Sequence, residues 1–203
     1  MIIQKTDKNS VALTASCLKQ GNVCIIPTDT VYGFSGVVDT KKRQFQTDSK
    51  IRSIKGRSET KPFIYLIDEP EKIKLYSDAK IPDEILNLWP GPLTIIVPIK
   101  PDSDLVSAFS TVAFRCPGDA WLRNVIKQVG APIFSTSVNY SGQPVCETEQ
   151  DLIDNFEKSV DLVVCDGDKI GSVPSTIISI SDNTIKVIRY GAVRINPEIL
   201  ISK

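Results

Sequence analysis

Short apolar runs, each stopped by proline, glycine or a polar cluster, recur along the chain at 23–26, 63–67, 94–98, 112–114, 132–134, 162–165, 176–180 and 184–189. Runs of this length suit strands, and several of the segments between them carry apolar residues at helical spacing. Residues 8–20 place Val11, Ala12, Ala15 and Leu18 at that spacing, with Asn9 or Ser10 as N-cap and Gly21-Asn22 as the stop. Further helices are expected over about 40–54, over 82–89 up to the Trp89-Pro90-Gly91-Pro92 break, over 121–129 before Gly130, and from the acidic residues 147–151 to Phe156. Asp182-Asn183, between the last two runs, is a hairpin-turn signal. Elements that interleave and then close on an antiparallel hairpin predict an α/β (α+β) chain, a twisted mixed β-sheet with helices packed around it. The 203 residues are expected to form a single domain over 1–203.

One absence narrows the chemistry. The chain has no histidine, which removes Ser-His-Asp and Cys-His nucleophile systems and every His-ligated metal site. The cysteines, Cys17, Cys24, Cys116, Cys146 and Cys165, lack zinc-like CxxC spacing and read as reduced, mostly buried thiols. Cys146 as a nucleophile would have no histidine base. The polar start MIIQKTDKNS is no secretory signal, and no apolar stretch approaches the roughly 20 residues that a bilayer span needs, so a cytoplasmic protein without membrane contact is expected.

Charge is balanced overall, at 24 basic and 24 acidic residues, but it is unevenly placed. Residues 41–61 carry Lys41, Lys42, Arg43, Lys50, Arg52, Lys55, Arg57 and Lys61 against Asp48 and Glu59, whereas 147–168 hold eight acids against Lys158. A basic block in a neutral chain is a candidate anion site, and also an ordinary solvated face. Four polar clusters adjoin apolar runs: Pro27–Gly33, Lys55–Pro62, Ser135–Gly142, and Pro174–Thr176 together with Arg189. If 55–61 is extended, Lys55, Arg57 and Lys61 share a face with Glu59 among them, and an anionic ligand would relieve their repulsion. By the same parity Ser135, Ser137, Asn139 and Ser141 form a shelf of neutral donors and acceptors. Arg115 is a further cation leaving a strand. No GxxxxGK[ST] phosphate loop occurs.

The segments PTDTVYGF, IKGRSETKPFIYLI, WPGPLTIIVP, VAFRCP, STSVNYSGQP, PSTIISI and IRYGAV stand in series over about residues 8–195. In this order they resemble the YrdC family, the threonylcarbamoyl-AMP synthases, and the length resembles the short bacterial type without an extra C-terminal domain. The resemblance implies a YrdC-like fold with a concave basic cleft. The implied reaction converts L-threonine, bicarbonate and ATP, with Mg²⁺ accompanying the nucleotide, to threonylcarbamoyl-AMP and pyrophosphate. A downstream threonylcarbamoyl transferase complex would then modify tRNA next to the anticodon. Carried over by motif, Lys55 and Arg57 are the implied catalytic cations. Lys55, Arg57, Lys61, Thr111, Ser137, Asn139, Val145 and Arg189 are implied at ATP, and Thr30, Arg115, Ser135 and Ser175 at threonine. Metal ligands are not assigned; Asp29 and Glu59 are the candidates.

Several positions depart from the family pattern: Asp29 for Glu, Ser58 for Pro, Val138 for Ala, Leu66 for a threonine-contacting His, and Asp119-Ala120 for a His-Pro pair. Two other readings remain open on the sequence. One is a carbamoyl-adenylate enzyme like the related domain of hydrogenase-maturation carbamoyltransferases. The other is a module that binds structured RNA, tRNA or double-stranded RNA, through its basic block.

Overall fold

The computed structural model describes residues 1–40, 45–56, 62–105, 109–181 and 184–196. Among them are strands β1 (Ile2–Gln4), β2 (Cys24–Ile26), β3 (Gly33–Val37), β4 (Ile64–Leu66) and β5 (Leu93–Pro98). Strands β6 (Thr111–Arg115), β7 (Ile133–Ser137), β8 (Leu162–Cys165), β9 (Thr176–Ser181) and β10 (Thr184–Arg189) follow. The helices are α1 (Ser10–Lys19), α2 (Thr47–Lys55), α3 (Asp83–Leu86), α4 (Ala120–Val129) and α5 (Glu149–Phe156), with short 3₁₀ turns at Pro70–Leu75 and Glu157–Ser159.

The strands join in one mixed sheet, in the order β1-β8-β2-β3-β7-β4-β6-β5-β9-β10. β1, β8 and β2 run parallel, as do β4 with β6 and β5 with β9; the remaining neighbours are antiparallel. The expected mixed sheet is present, and β9 and β10 form the expected hairpin, whose Asp182-Asn183 turn lies outside the described residues. The polar cluster that follows the run at 132–134 begins inside the strand: residues 135–137 are the second half of β7, because Gly33 and Ser35 of β3 and Ile64 of β4 supply ladder partners for this polar stretch. β3 itself carries no strand signal in GFSGV, yet all five residues are buried. At Gly36 a Cβ would come within 2.9 Å of Thr47 on α2, so small residues are what let this strand lie beneath the helix.

The two faces of the sheet are filled differently. One packs Ile25, Phe34, Tyr65, Phe114, Phe134 and Ile178 under Ile51 of α2, Ile85 of α3 and Leu152 and Phe156 of α5. On the other, Cys24, Ile26, Leu66, Ile133, Leu162 and Val164 lie under Ala15 and Leu18 of α1 and Leu122, Val125 and Ile126 of α4. Each large side chain so buried contributes about 1.5–3 kcal/mol. Helix ends follow local chemistry. Asp119 Oδ1 accepts from Leu122 N at 2.9 Å to cap α4, and Gly130 (φ 75°) closes it. Thr148 caps α5 through Asp151 N at 3.1 Å.

Helices α1 and α4 cover part of their face and leave the rest open. Along β7, Ile133 lies under α4, while Ser135 and Ser137, two and four residues on, line a cavity. Along β4 the same happens in reverse, with Leu66 covered and Ile64 in the cavity. The strand period of two thus carries one face from core into cleft.

Candidate active site

The cavity holds about 240 Å³ and is lined by Thr28 and Thr30 from the β2–β3 loop, Arg115, Ser135 and Ser137 from β6 and β7, and Ser175 and Arg189 from the terminal hairpin. Thr30, Arg115, Ser135, Ser137, Ser175 and Arg189, far apart in sequence, therefore meet in one hollow. A second cavity, of about 320 Å³, lies between Lys19, Asp39, Phe45 and Gly130 and gathers none of the motif residues.

Arg115 is 4% exposed and held at three points. Its Nε donates to Gly91 O at 3.3 Å, Nη1 to Thr30 Oγ1 at 2.9 Å and Nη2 to Asp29 Oδ1 at 2.5 Å. Asp29 is fixed in turn by Gly118 N, which donates to Oδ2 at 2.8 Å. Three of the five guanidinium N–H bonds are thus used, leaving donors for a ligand. The shorter Asp29, where the family pattern has Glu, reaches Arg115 directly.

Arg189 rests its Nη2 on Ser175 O at 2.7 Å, with Nε on the same carbonyl at 3.3 Å. Burial, and then the charge of Arg115, push its guanidinium below the ordinary arginine value. Arg115 is paired with the Asp29 carboxylate, so the guanidinium in the hollow that has no carboxylate partner among the described residues is that of Arg189, and an anionic group there would be attracted to it. Gly191 makes this hairpin end possible: a Cβ there would come within 2.2 Å of Pro174 O and 2.5 Å of Ser175 C. Gly33 does the same for the cavity wall, where a Cβ would come within 2.8 Å of Ser135 Oγ.

Lys55 departs from the extended reading. It is the last residue of α2, and Gly56 at φ 59° turns the chain there, so Lys55 does not alternate with 57 and 61 along one strand. It is 2% exposed, and its Nζ donates to Ser137 O and, at 2.9 Å each, to Asn139 O and Oδ1. Asn139 Oδ1 also accepts from Ser137 Oγ at 2.8 Å, while Nδ2 donates to Tyr140 O and Gln143 O at 3.0 and 2.7 Å. Lys55 and Asn139 are therefore the struts of the 137–143 turn, with Ser137 facing the cavity. Val145 adjoins the same turn, where Cys146 N donates to Val138 O at 2.9 Å. Thr111 begins β6, paired with Pro98, at the opposite end of that strand from Arg115. Arg57 and Lys61, with Ser58 and Glu59, lie outside the described residues, as do Lys41, Lys42 and Arg43. Pro62, the residue after Lys61, lines the cavity.

The other departures have structural roles. Leu66 is the register partner of Arg115 on β4, but its side chain belongs to the core under α4. Asp119 caps α4 and pairs with Lys5 at 2.5 Å, so at this position an acid ties the N-terminal strand to the helix. Lys5 also reaches Asp166 at 3.0 Å. Among the described residues no three His, Cys, Asp or Glu side chains gather to hold a metal ion. Burial raises the thiol of Cys146 and pushes that of Cys116 up to about 12, which opposes thiolate chemistry.

Sequence reasoning missed two supports. Tyr32 is fully buried; its hydroxyl donates to Gly167 O at 2.8 Å and accepts from Asp166 N at 2.7 Å, pinning the loop after β8 to the β2–β3 loop. Residues 89–94 hold two sides of the cavity at once: Gly91 O accepts from Arg115, and Thr94 Oγ1 lies 2.8 Å from Ser175 Oγ. Both lie in quoted motifs, which was the available signal.

Residues 16–191 match the model of the Sua5/YciO/YrdC family, which carries the description telomere recombination. A threonylcarbamoyl-AMP synthase of Bacillus subtilis is 28% identical over 93% of this chain, which spans 55% of that protein. A threonylcarbamoyl-AMP synthase of Buchnera aphidicola is 30% identical over 85% of this chain and 99% of its own length. The crystal structure of P. abyssi Sua5 complexed with L-threonine superposes with a TM-score of 0.81 at 25% identity, covering 94% of this chain and 57% of that one.

Proposed function

The chain belongs to the Sua5/YciO/YrdC family, and we propose that it converts L-threonine, bicarbonate and ATP to threonylcarbamoyl-AMP and pyrophosphate. The observation that carries this reading is the hollow where Arg115, Arg189 and the hydroxyls of Thr30, Ser135, Ser137 and Ser175 converge. The relatives named threonylcarbamoyl-AMP synthase support it.

The chemistry suits a site of this kind. The threonine amine and bicarbonate give a carbamate with loss of water; a carbamate oxygen then bonds to the α-phosphorus of ATP and pyrophosphate departs. Such a displacement requires positioning and charge neutralisation rather than a covalent nucleophile. Arg115, oriented by Asp29, Thr30 and Gly91 O, offers its remaining N–H groups to the threonine carboxylate. Arg189 and Ser137 stand at the nucleotide side, with Arg57 and Lys61 as the proposed phosphate cations of the segment that ends at Pro62. Lys55 and Asn139 act there by holding the turn that carries Ser137. Mg²⁺ enters with ATP as part of the substrate. No helix among the described residues is long and apolar enough to cross a membrane. On this reading the protein acts in the cytoplasm, upstream of a transferase complex that modifies tRNA.

Pyrophosphate release from ATP, with L-threonine and bicarbonate present or omitted, tests the proposal. Release that requires both supports it, and equal rates without threonine overturn it. Release driven by carbamoyl phosphate instead would reassign the site to carbamoyl-adenylate chemistry. Salt-sensitive RNA binding without turnover would reassign the protein to an RNA module.

A further inference from the structure

We infer that Thr94 is a positioning residue of this site: its hydroxyl donates to Ser175 Oγ and thereby commits the Ser175 proton to the cavity, where it meets an anionic oxygen of the substrate. The inference rests on the proposed function, and it gives the WPGPLT segment a role in recognition beyond its place in the sheet.

The direction of the Thr94–Ser175 hydrogen bond follows from burial. Thr94 is 0% exposed, on β5 beside β9, and Ser175 Oγ, at 2.8 Å, is its hydroxyl's partner. Were Ser175 the donor, the Thr94 proton would be buried with no acceptor among the described residues, at a cost comparable to the bond itself. Thr94 therefore donates. Ser175 Oγ receives this proton and a longer contact from Arg189 Nη2 at 3.4 Å. With both lone pairs so approached, the Ser175 hydroxyl faces the cavity as a donor rather than an acceptor. A donor there, beside two guanidiniums, selects a carboxylate or another anionic oxygen and disfavours an ammonium group.

The same six-residue segment acts at the other wall. Gly91 O fixes Arg115 Nε, Gly91 N donates to Cys116 O at 2.9 Å, and Pro92 O accepts from Thr176 N at 3.0 Å. One rigid segment therefore sets the separation between the Arg115 guanidinium and the Ser175 hydroxyl, the two groups proposed to meet threonine.

The test compares Thr94→Val, which keeps the volume and removes the donor, with Thr94→Ser, which restores it. Initial rates of pyrophosphate release are measured against L-threonine at saturating ATP, and against ATP at saturating threonine, with thermal unfolding of each variant alongside. The expected result is a KM for L-threonine about tenfold higher in Thr94→Val, the size of one hydrogen bond, with KM for ATP unchanged and near wild-type values in Thr94→Ser. A wild-type threonine KM in Thr94→Val overturns the role of Thr94, as does a Thr94→Ser variant no better than the valine one or a rise confined to ATP. Absence of threonine-dependent turnover in the wild-type protein is a separate outcome, which overturns the proposed function and this inference together.

Discussion

Replacing Lys55 by methionine separates two roles for a lysine in a phosphate-binding motif. A lysine that meets phosphate is dispensable for folding and needed for ATP. The amine of Lys55 is instead buried against Ser137 O, Asn139 O and Asn139 Oδ1. A hydrogen bond to a charged group contributes about 1.5–3 kcal/mol, so the gross loss over three bonds is roughly 5–9 kcal/mol. Relief of the ammonium's desolvation returns several kcal/mol of this. Asn139 Oδ1 keeps the Ser137 hydroxyl, leaving the two carbonyls as the main uncompensated groups. A net loss of about 3 kcal/mol is expected, which lowers Tm by roughly 6–12 °C for a chain of this size. Thermal unfolding followed by circular dichroism, without nucleotide, measures it. An unchanged Tm together with weakened ATP binding would refute the strut and restore the direct phosphate contact.

Three further outcomes are expected. Gly191→Ala forces a methyl into Pro174 O and Ser175, so turnover should fall by more than about tenfold while a urea titration shows the protein still folded, less stable by roughly 1–3 kcal/mol; wild-type turnover would contradict it. Tyr32→Phe leaves Gly167 O and Asp166 N without their shared partner and should cost about 2 kcal/mol, read as a Tm lowered by roughly 4–8 °C. Burial raises the Asp166 carboxyl, but the ammonium groups of Lys169 and Lys5 outweigh it and hold the group below the ordinary aspartate value. A lowered folded-state pKa gives stability that is present above the unfolded value of about 3.9 and lost as pH falls through the folded one. Asp166→Asn should therefore lower the urea midpoint at neutral pH and lose less of it on acidification than wild type; parallel acid limbs would contradict the pairing.

What the sequence could convey depended on the range of the interaction. Helices α1, α4 and α5 are legible because apolar spacing, the Gly130 stop and the acidic first turn of α5 are local signals; the caps are not, since Asn9 makes no side-chain cap bond and the capping side chains are Asp119 and Thr148. The ladder of β3 is not, since GFSGV becomes a strand only when β2, β7 and the underside of α2 enclose it. Sheet order is likewise set by pairings between distant segments, such as β1 with β8. At the site, the motifs identify Arg115, Ser135, Ser137, Ser175 and Arg189, and the structure brings them together. The motifs do not distinguish a side chain that faces the cavity from one that braces it. Lys55 braces the turn from the end of α2, where Gly56 turns the chain, and Asn139 braces it through its own amide bonds to Ser137, Tyr140 and Gln143.

The most direct test of the central claim uses ¹³C-labelled bicarbonate with L-threonine and Mg·ATP, and mass spectrometry of the nucleotide product. The account predicts an AMP adduct that carries both the threonine and the labelled carbon, formed by the wild-type protein and lost when Arg115 is replaced. An adduct that contains no label, or equal yield from an Arg115→Met variant that remains folded, would contradict it.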